Sequence, residues 1–516
     1  AIFVDMLFKS EGNYLPVRVL SYAADYALWG LDPAGFRLTN FILHALNVYL
    51  VALLVLRVAG RFGGGAARFR RPAAVFAALL FAAHPLQVEP VVWISGRKDL
   101  LAGFFMLGAF HCYWSSRESG GGRVRLAWFG AAVAAFVLGA MSKASTLCFP
   151  VLVLVCDLLF FRGIAEERRR GEFDRQALLL FVIAIAFGAL DIFMYKSGTV
   201  DPNASTAGFP SNILTVLSVP WLYLKSFFFP VGLSPEYNVA APEGAAAAVL
   251  LVAGAAVAAV PYAAAFVKNR ALFFFMAWFA VALGPVSNVF PLQNVIADRY
   301  AYIAMPGLCA AVVFFVVSAA GNGRLKPAAV VLCAAAVAAC VPLTLRQGTY
   351  WENGHALWSR AAEVAPESTR VYHNLGEQYR RAGDIEKAKE YFRLALEKDP
   401  DSSPSNFVLA QVYYLEGRPG AAIEHLERIV AAGKKMPHAY HNLAFLYIET
   451  GQARKAVEMY RRAIEIFPDD RSFREGLVYA RGMAQEREDT EPSPGQQEGG
   501  PDALQGEGLE WGPRGE

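Results

Sequence analysis

Long apolar runs and a charged second half divide this chain into two parts. Between residue 36 and about residue 346, apolar stretches follow one another with only short polar connections. A helix needs about 20 apolar residues to cross a bilayer. The candidate runs are 36–58, 72–93, 98–116, 124–141, 144–161, 176–195, 212–233, 243–267, 271–290, 299–319 and 327–346. The pattern therefore predicts an all-α protein with a polytopic membrane domain followed by a soluble helical part.

Basic residues in the short connections predict the orientation. The loops 59–72 and 162–175 are rich in arginine, which places them in the cytoplasm by the positive-inside rule. Two further connections are basic, with Lys268 and Arg270 in one and Arg324 and Lys326 in the other. They also lie in the cytoplasm only if one of the apolar runs does not cross the membrane. Pro220 and Pro230 interrupt 212–233, so we predict that this run is interfacial or re-entrant. Ten crossings then remain, and the soluble part lies on the non-cytoplasmic side.

A 34-residue period dominates the soluble part. Three series share this step: Leu375, Leu409 and Leu443; Tyr379, Tyr413 and Tyr447; and Gly383, Gly417 and Gly451. This period and pattern are typical of the tetratricopeptide repeat (TPR), a stack of paired helices. We predict repeats at 369–402, 403–436 and 437–470, preceded by a half repeat at 351–368.

The complete domain prediction has four parts. Residues 1–35 form a non-cytoplasmic loop with an interfacial helix, 36–346 the membrane domain, and 351–484 the TPR domain. The tail 485–516 is rich in Pro, Gly, Gln and Glu, so we predict that it is disordered.

Composition supports the membrane assignment and excludes several function classes. The 516 residues are 55% hydrophobic and 18% charged, whereas soluble proteins carry about 25% charged residues. A net charge of +3 does not argue for a nucleic-acid partner. The sequence contains no P-loop, GxSxG or HExxH motif, so it predicts no soluble nucleotide or hydrolase site and no metal ligands.

Ionisable residues collect on the predicted non-cytoplasmic face of the membrane domain. Such residues near membrane depth are costly and are functional candidates. Cations there bind phosphates, and a carboxylate there can act as a general base toward a hydroxyl. The candidates are Glu89 and Asp99 for catalysis, and Arg97, Lys98, Lys143 and Arg299 for a donor phosphate.

Structural explanations for the same residues stay open. Arg97 and Lys98 are also consistent with interfacial snorkelling. Asp298 and Arg299 are consistent with a local salt bridge, and Glu89 with a satisfied structural carboxylate. In the TPR domain, Asn374 and Asn442 occupy equivalent positions and are candidates for binding a peptide backbone. The alternative is that they are simply a tolerated solution of the repeat.

Four segments in this order resemble one family. The segments are 14–47, 84–105 (HPLQVEPVVWISGRKDLLAGFF), 142–159 (SKASTLCFPVLVLVCDLL) and 297–307 (ADRYAYIAMPG), and the TPRs follow them. They resemble the transmembrane and TPR-repeat-containing O-mannosyltransferase-like proteins and their bacterial relatives. The resemblance implies a GT-C glycosyltransferase fold and a polyprenyl-phosphate-linked sugar as donor. It also implies a protein acceptor on the lumenal or periplasmic face.

The resemblance leaves the activity open. The family's expected catalytic acid lies in a first external loop upstream of Ala1, so we expect an N-terminally incomplete chain of a bacterial inner-membrane protein. Arg37 stands where relatives often have His. Three functions remain as hypotheses: a mannose-like transferase whose TPR domain engages the acceptor or a partner, a catalytically inactive membrane-anchored TPR scaffold, and, ranked last, a transporter. The sequence specifies neither the sugar nor a metal requirement.

Overall fold

The protein is described from a computed structural model, in which two compact units divide between Val364 and Ala365. The structure describes residues 15–61, 70–161, 167–197, 213–239, 269–289, 294–320 and 326–490, with residue 292 and scattered positions between 244 and 259. Within these residues the regular structure is helical, without strands. The fold is therefore all-α, as predicted. The predicted tail 485–516 falls largely outside the described residues.

The first unit contains the apolar helices. They are α1 (Pro16–Trp29), α2 (Pro33–Gly60), α3 (Arg70–Ala83), α4 (Val88–Val92), α5 (Arg97–Glu118), α6 (Gly122–Ala140), α7 (Phe149–Phe160), α8 (Glu167–Ser197), α9 (Ile213–Phe228), α10 (Arg270–Leu283), α11 (Met305–Ala319), α12 (Lys326–Thr349) and α13 (Gly354–Val364). Among them α5 packs on α6, α2 on α3, and α10 on α11.

Several helices meet the requirement for a membrane span. By length and composition, four described helices qualify, in the ranges Pro33–Gly60, Gly122–Ala140, Arg175–Phe193 and Pro327–Thr349. The pair Arg70–Ala83 and Pro85–Val92 makes a fifth if the bent pair is one span. Shorter apolar helices accompany them, and α9 continues through Pro220. The chain is thus a multi-pass membrane protein, and the number of ten crossings stays a prediction.

Glycine permits a close approach of two helices in this unit. A Cβ atom at Gly307 on α11 would lie 2.6 Å from the carbonyl oxygen of Phe275 on α10. A backbone atom cannot move away as a flexible side chain can, so this crossing requires glycine. The crossing places the segment before α11, which carries Arg299, against the rest of the unit.

The second unit consists of helix pairs. They are α14 (Thr369–Arg381) with α15 (Ile385–Lys398), α16 (Ser403–Leu415) with α17 (Pro419–Ala431), and α18 (Pro437–Glu449) with α19 (Ala453–Ile466), followed by α20 (Arg471–Thr490). Gly383, Gly417 and Gly451 lie in the turns within the pairs and have positive φ angles of 82°, 72° and 83°. Leu409 and Leu443 are fully buried in a core that belongs to this unit alone. The TPR fold predicted from the 34-residue period is therefore present.

Candidate functional site

A broken helix begins the candidate site. Helices α3 and α4 meet at His84-Pro85, and their axes differ by 56°. The His84 ring holds this bend, because its Nδ1 accepts a hydrogen bond from the Leu86 amide at 3.2 Å and its Nε2 lies 3.0 Å from the Phe227 carbonyl oxygen. The bend turns α4 so that Glu89 points into the unit, where it is 1% exposed.

Glu89 forms an ion pair with Arg299, which lies 210 residues later in the chain. The Glu89 carboxylate accepts from the Arg299 backbone amide at 2.8 Å through Oε2 and from the guanidinium through Oε1. The guanidinium carbon lies 5.2 Å from the ring centre of Trp93 and 4.9 Å from that of Tyr300. Both carboxylate oxygens of Glu89 are therefore engaged by one residue, and two aromatic rings hold that residue in place.

A second ion pair joins Asp99 and Lys143. The Lys143 ammonium donates to Asp99 Oδ1 and lies 5.0 Å from the ring centre of Tyr300, the ring that Arg299 also contacts. The other oxygen of Asp99, Oδ2, is buried and accepts no hydrogen bond from the described residues. Two cation–carboxylate pairs thus meet at Tyr300, and Asp99 retains one oxygen for a further donor.

Lys98 belongs to the same charged cluster. The charges that act on its ammonium are those of Asp99, Lys143, Arg299 and Arg18. Five of the six residues predicted from the sequence are therefore gathered in one place: Glu89, Lys98, Asp99, Lys143 and Arg299. We call them the charged cluster.

Arg97 lies outside the charged cluster, in a separate buried network. Its side chain is 0% exposed and pairs with Asp25 at 2.6 Å. It also donates to the Phe36 carbonyl oxygen at 2.7 Å and to the Asn40 side chain. Asn40 in turn donates to the backbone of the bent segment, at the carbonyl oxygens of Val91 (3.1 Å) and Trp93 (3.0 Å).

The Asp25–Arg97 network therefore fixes the segment that carries Glu89 and Trp93. Sequence reasoning missed Asp25 and Asn40 as parts of it. One signal was available, because Arg18 and Asp25 are seven residues apart and share one face of a helix. Both are buried in α1.

A third carboxylate, that of Asp298, comes directly before Arg299 in the chain. It accepts a hydrogen bond from the Tyr237 hydroxyl at 2.5 Å. Burial, followed by the negative charge of Glu89, raises the pKa of Asp298 well above its ordinary value. The local pairing of Asp298 with Arg299, considered from the sequence, gives way to the long-range pair between Arg299 and Glu89.

Curated proteins that are similar in sequence to this chain include animal proteins that are named as transferases. The mouse "Protein O-mannosyl-transferase TMTC3" is 23% identical over 89% of this chain and 54% of its own length. The human protein of the same name is 24% identical over the same shares, and the Drosophila melanogaster Tmtc3 is 24% identical over 89% of this chain and 58% of its own length. Tetratricopeptide repeat models match residues 347–403, 379–435 and 413–477. This chain is a distant homologue of the TMTC proteins. It spans about half the length of the curated relatives it matches.

The part of the chain that the structure describes contains no candidate metal site. There, no group of three or more His, Cys, Asp and Glu side chains is placed to hold an ion. Asp99 and Lys143, and Glu89 and Arg299, are instead matched as pairs of opposite charge. The charged cluster thus presents two cation–carboxylate pairs.

The two asparagines predicted to bind a peptide in the TPR domain differ in how deeply they are buried. Asn374 is half-buried, and its amide donates to the Arg370 carbonyl oxygen at 2.7 Å, one turn earlier in the same helix. Asn442 is fully buried in the core of the TPR unit. A peptide-binding role at these two positions stays a prediction, and at Asn374 it requires the amide to leave the Arg370 carbonyl oxygen.

Proposed function

We propose that the chain is a membrane glycosyltransferase. It moves a mannose-like sugar from a polyprenyl-phosphate donor to a hydroxyl group of a protein on the non-cytoplasmic face. The names of the animal homologues support the reaction class, and the proposal extends to a GT-C type of fold. The TPR domain engages the acceptor or a partner protein, since TPR stacks have a concave face suited to peptides.

The observation that carries this proposal is the convergence of the charged cluster. Three chain regions that are far apart in sequence contribute to it, namely 89–99, Lys143 and Arg299, and two ion pairs share the Tyr300 ring. Lys98, Lys143 and Arg299 supply positive charge for the donor phosphate, because ammonium and guanidinium groups form strong charge-assisted bonds with phosphate oxygens. In the reaction, the same charges stabilise the phosphate that leaves when the sugar–phosphate bond breaks.

The two candidate carboxylates differ in whether one oxygen atom is left without a hydrogen bond from the described residues. Glu89 uses both oxygens on Arg299, so we assign it to holding that cation. Asp99 keeps Oδ2 without a partner among the described residues, so we assign it the role of general base. It takes the proton of the acceptor hydroxyl as the oxygen attacks the sugar. Arg97 is fully buried on Asp25, so we assign it a positioning role.

The test is sugar transfer by membranes that contain the full chain. The probe is a polyprenyl phosphate that carries radiolabelled mannose, and the readout is label in membrane protein. We expect Asp99→Asn to lower transfer by about 100-fold or more, since general bases contribute that much. Glu118→Gln, which removes an exposed acid from the other end of the same helix, is the matched control and should transfer at the wild-type rate. Equal transfer by folded Asp99→Asn and wild-type protein would exclude Asp99 as the base.

A scaffold without catalysis is the second candidate. It is favoured by the TPR unit, which has a hydrophobic core of its own and is compact without the membrane unit. This alternative expects a partner to be recovered by residues 365–490 alone and no labelled protein from the wild-type chain. Transfer by wild type that is lost in Asp99→Asn would contradict it.

A further inference from the structure

The membrane unit carries a second group of charged residues at the end opposite the charged cluster. Helices α2, α5 and α7 end there, and α10 begins there. The group consists of five arginines and two carboxylates: Arg57, Arg61, Arg70, Arg117, Arg270, Glu118 and Asp157. We call it the arginine end.

Two guanidinium groups of the arginine end share one aromatic ring. The guanidinium carbon of Arg61 lies 4.5 Å from the ring centre of Phe161, and that of Arg117 lies 5.5 Å from the same centre. Arg61 also stacks on Trp114, at 5.5 Å from its ring. Aromatic contacts of this kind hold a guanidinium in place while leaving its N–H groups at the ring edge available for an anion.

The carboxylates at this end neutralise only part of the positive charge. Arg117 forms a buried pair with Asp157 at 2.7 Å, so this arginine is accounted for structurally. Arg61 contacts Glu118 at 3.1 Å, but the Glu118 side chain is 48% exposed, and such a pair is weak and exchangeable. Arg57 donates to the His111 carbonyl oxygen at 2.8 Å and so satisfies a helix backbone.

Two arginines add exposed charge beside this ring system. Arg270 is exposed and donates to the Leu159 carbonyl oxygen at 3.3 Å, two residues before Phe161. Arg70 is exposed, and its Nη1 would lie 3.1 Å from a Cβ atom at Gly60, the residue before Arg61. Arg61, Arg70 and Arg270 therefore present positive charge at one end of the helix bundle, and among the described residues only Arg61 of the three has a carboxylate partner, the exposed Glu118.

The length of α5 separates the arginine end from the charged cluster by about the thickness of a bilayer. The helix has 22 residues, and a rise of about 1.5 Å per residue gives about 33 Å from Arg97 to Glu118. The hydrocarbon core of a bilayer is about 30 Å thick. If Lys98 and Asp99 lie at one membrane surface, Arg117 lies at the other. Leu158, one turn before Phe161, is 41% exposed and suits contact with acyl chains.

We infer that the arginine end binds the phosphate of an anionic phospholipid in the leaflet opposite the charged cluster. Arg61, Arg70 and Arg270 contact the phosphate oxygens, since basic pockets between membrane helices recognise anionic headgroups. Trp114 and Phe161 form the wall against which Arg61 is held. This inference does not depend on the proposed transferase activity, because its readout is lipid binding.

The test uses the full chain in neutral detergent with phosphatidylglycerol added at increasing mole fraction. Bound lipid is counted by native mass spectrometry, and thermal unfolding is followed in parallel. We expect phosphatidylglycerol to bind and to raise the unfolding midpoint, whereas phosphatidylcholine does neither. Arg61→Gln and Arg270→Gln should each weaken binding by about fivefold, since one arginine near the surface contributes about that factor.

Arg123→Gln is the matched control. Arg123 is an exposed arginine at the start of α6, at the same end of the unit, and its replacement removes the same charge. We expect it to bind phosphatidylglycerol as wild type does. An equal loss in Arg123→Gln and Arg61→Gln would overturn the inference, because it would show a diffuse charge effect. The same stabilisation by inorganic phosphate alone would also overturn it, because the ligand would then be a free anion. If a variant unfolds without lipid at a lower temperature, the bound-lipid count below that temperature still decides.

Discussion

The buried pair of Asp25 and Arg97 allows the anchoring of the bent segment to be measured. Arg97 is 0% exposed and Asp25 is 3% exposed, so either charge would be strongly disfavoured without the other. We consider Asp25→Asn, Arg97→Met and the double variant. Asp25→Asn leaves the guanidinium buried with Asn40 and the Phe36 carbonyl oxygen as its acceptors. Arg97→Met leaves the Asp25 carboxylate with a hydrogen bond from Thr39 at 2.8 Å.

The expected free energies follow from this burial. Removing one partner of a buried ion pair costs about 3–5 kcal/mol, because the remaining charge has lost its compensation. Since hydrogen bonds remain to each partner, we expect the lower end, about 3 kcal/mol, for each single variant. The double variant removes both charges of this pair and leaves neither without its partner, so we expect it to cost about 3 kcal/mol rather than about 6. The coupling energy is then about 3 kcal/mol.

Tryptophan fluorescence can follow unfolding of the membrane unit in the full chain. Eight of the nine tryptophans lie between residues 29 and 358, and none lies in the described part of the TPR unit. Unfolding in a detergent titration therefore reports on the unit that contains Asp25 and Arg97. Arg123→Gln serves as the control, and exposed substitutions of this kind change stability by less than about 0.5 kcal/mol. Additive single effects, with a coupling below about 0.5 kcal/mol, would refute the assignment of Arg97 to an anchoring pair.

Two further predictions test the helix crossing and the TPR unit. Gly307→Ala should lower the stability of the membrane unit by about 2 kcal/mol, because the new methyl group meets the Phe275 backbone. Gly108→Ala, which meets open space, should be neutral or stabilising in the same detergent titration. Burial, followed by the charge of Arg428, lowers the pKa of His425 to about 4, so the folded TPR unit holds this histidine neutral while the unfolded chain protonates near pH 6.5. Residues 365–490 should therefore lose about 1 kcal/mol as the pH falls from 6.5 to 4, and urea titrations should show a smaller loss in His425→Gln.

The TPR fold was predictable because a repeat shows its spacing three times in the sequence. Gly383, Gly417 and Gly451 share one register, and each adopts the positive φ that a turn between paired helices requires. The membrane unit offers no such internal check. Its apolar runs predict helices, but the 56° break at His84-Pro85 depends on a contact with Phe227 that lies 143 residues away.

The predicted membrane orientation placed the residues of the charged cluster on one face. It did not indicate which cation pairs with which carboxylate. Neighbouring helical residues point about 100° apart, since a helix has about 3.6 residues per turn. Arg97 therefore enters the buried network of α1 and α2, while Lys98 faces the charges of Lys143 and Arg299. The packing of α5 decides which of these two adjacent cations is buried. The sequence does not show that packing, because Arg97 and Lys98 are neighbours and both are basic.

Helix α5 has charged residues at both ends, and its length is about the thickness of a bilayer. Variants at sites farther apart than about 10 Å with no shared partners usually act independently. Arg61→Gln and Asp99→Asn share no partner, so the loss of lipid binding in one and the loss of transfer in the other should combine without coupling. If Arg61→Gln also lowered transfer in proportion to lipid loss, the lipid would act on the charged cluster through α5. The helix would then be the element that relays the state of one leaflet to the other.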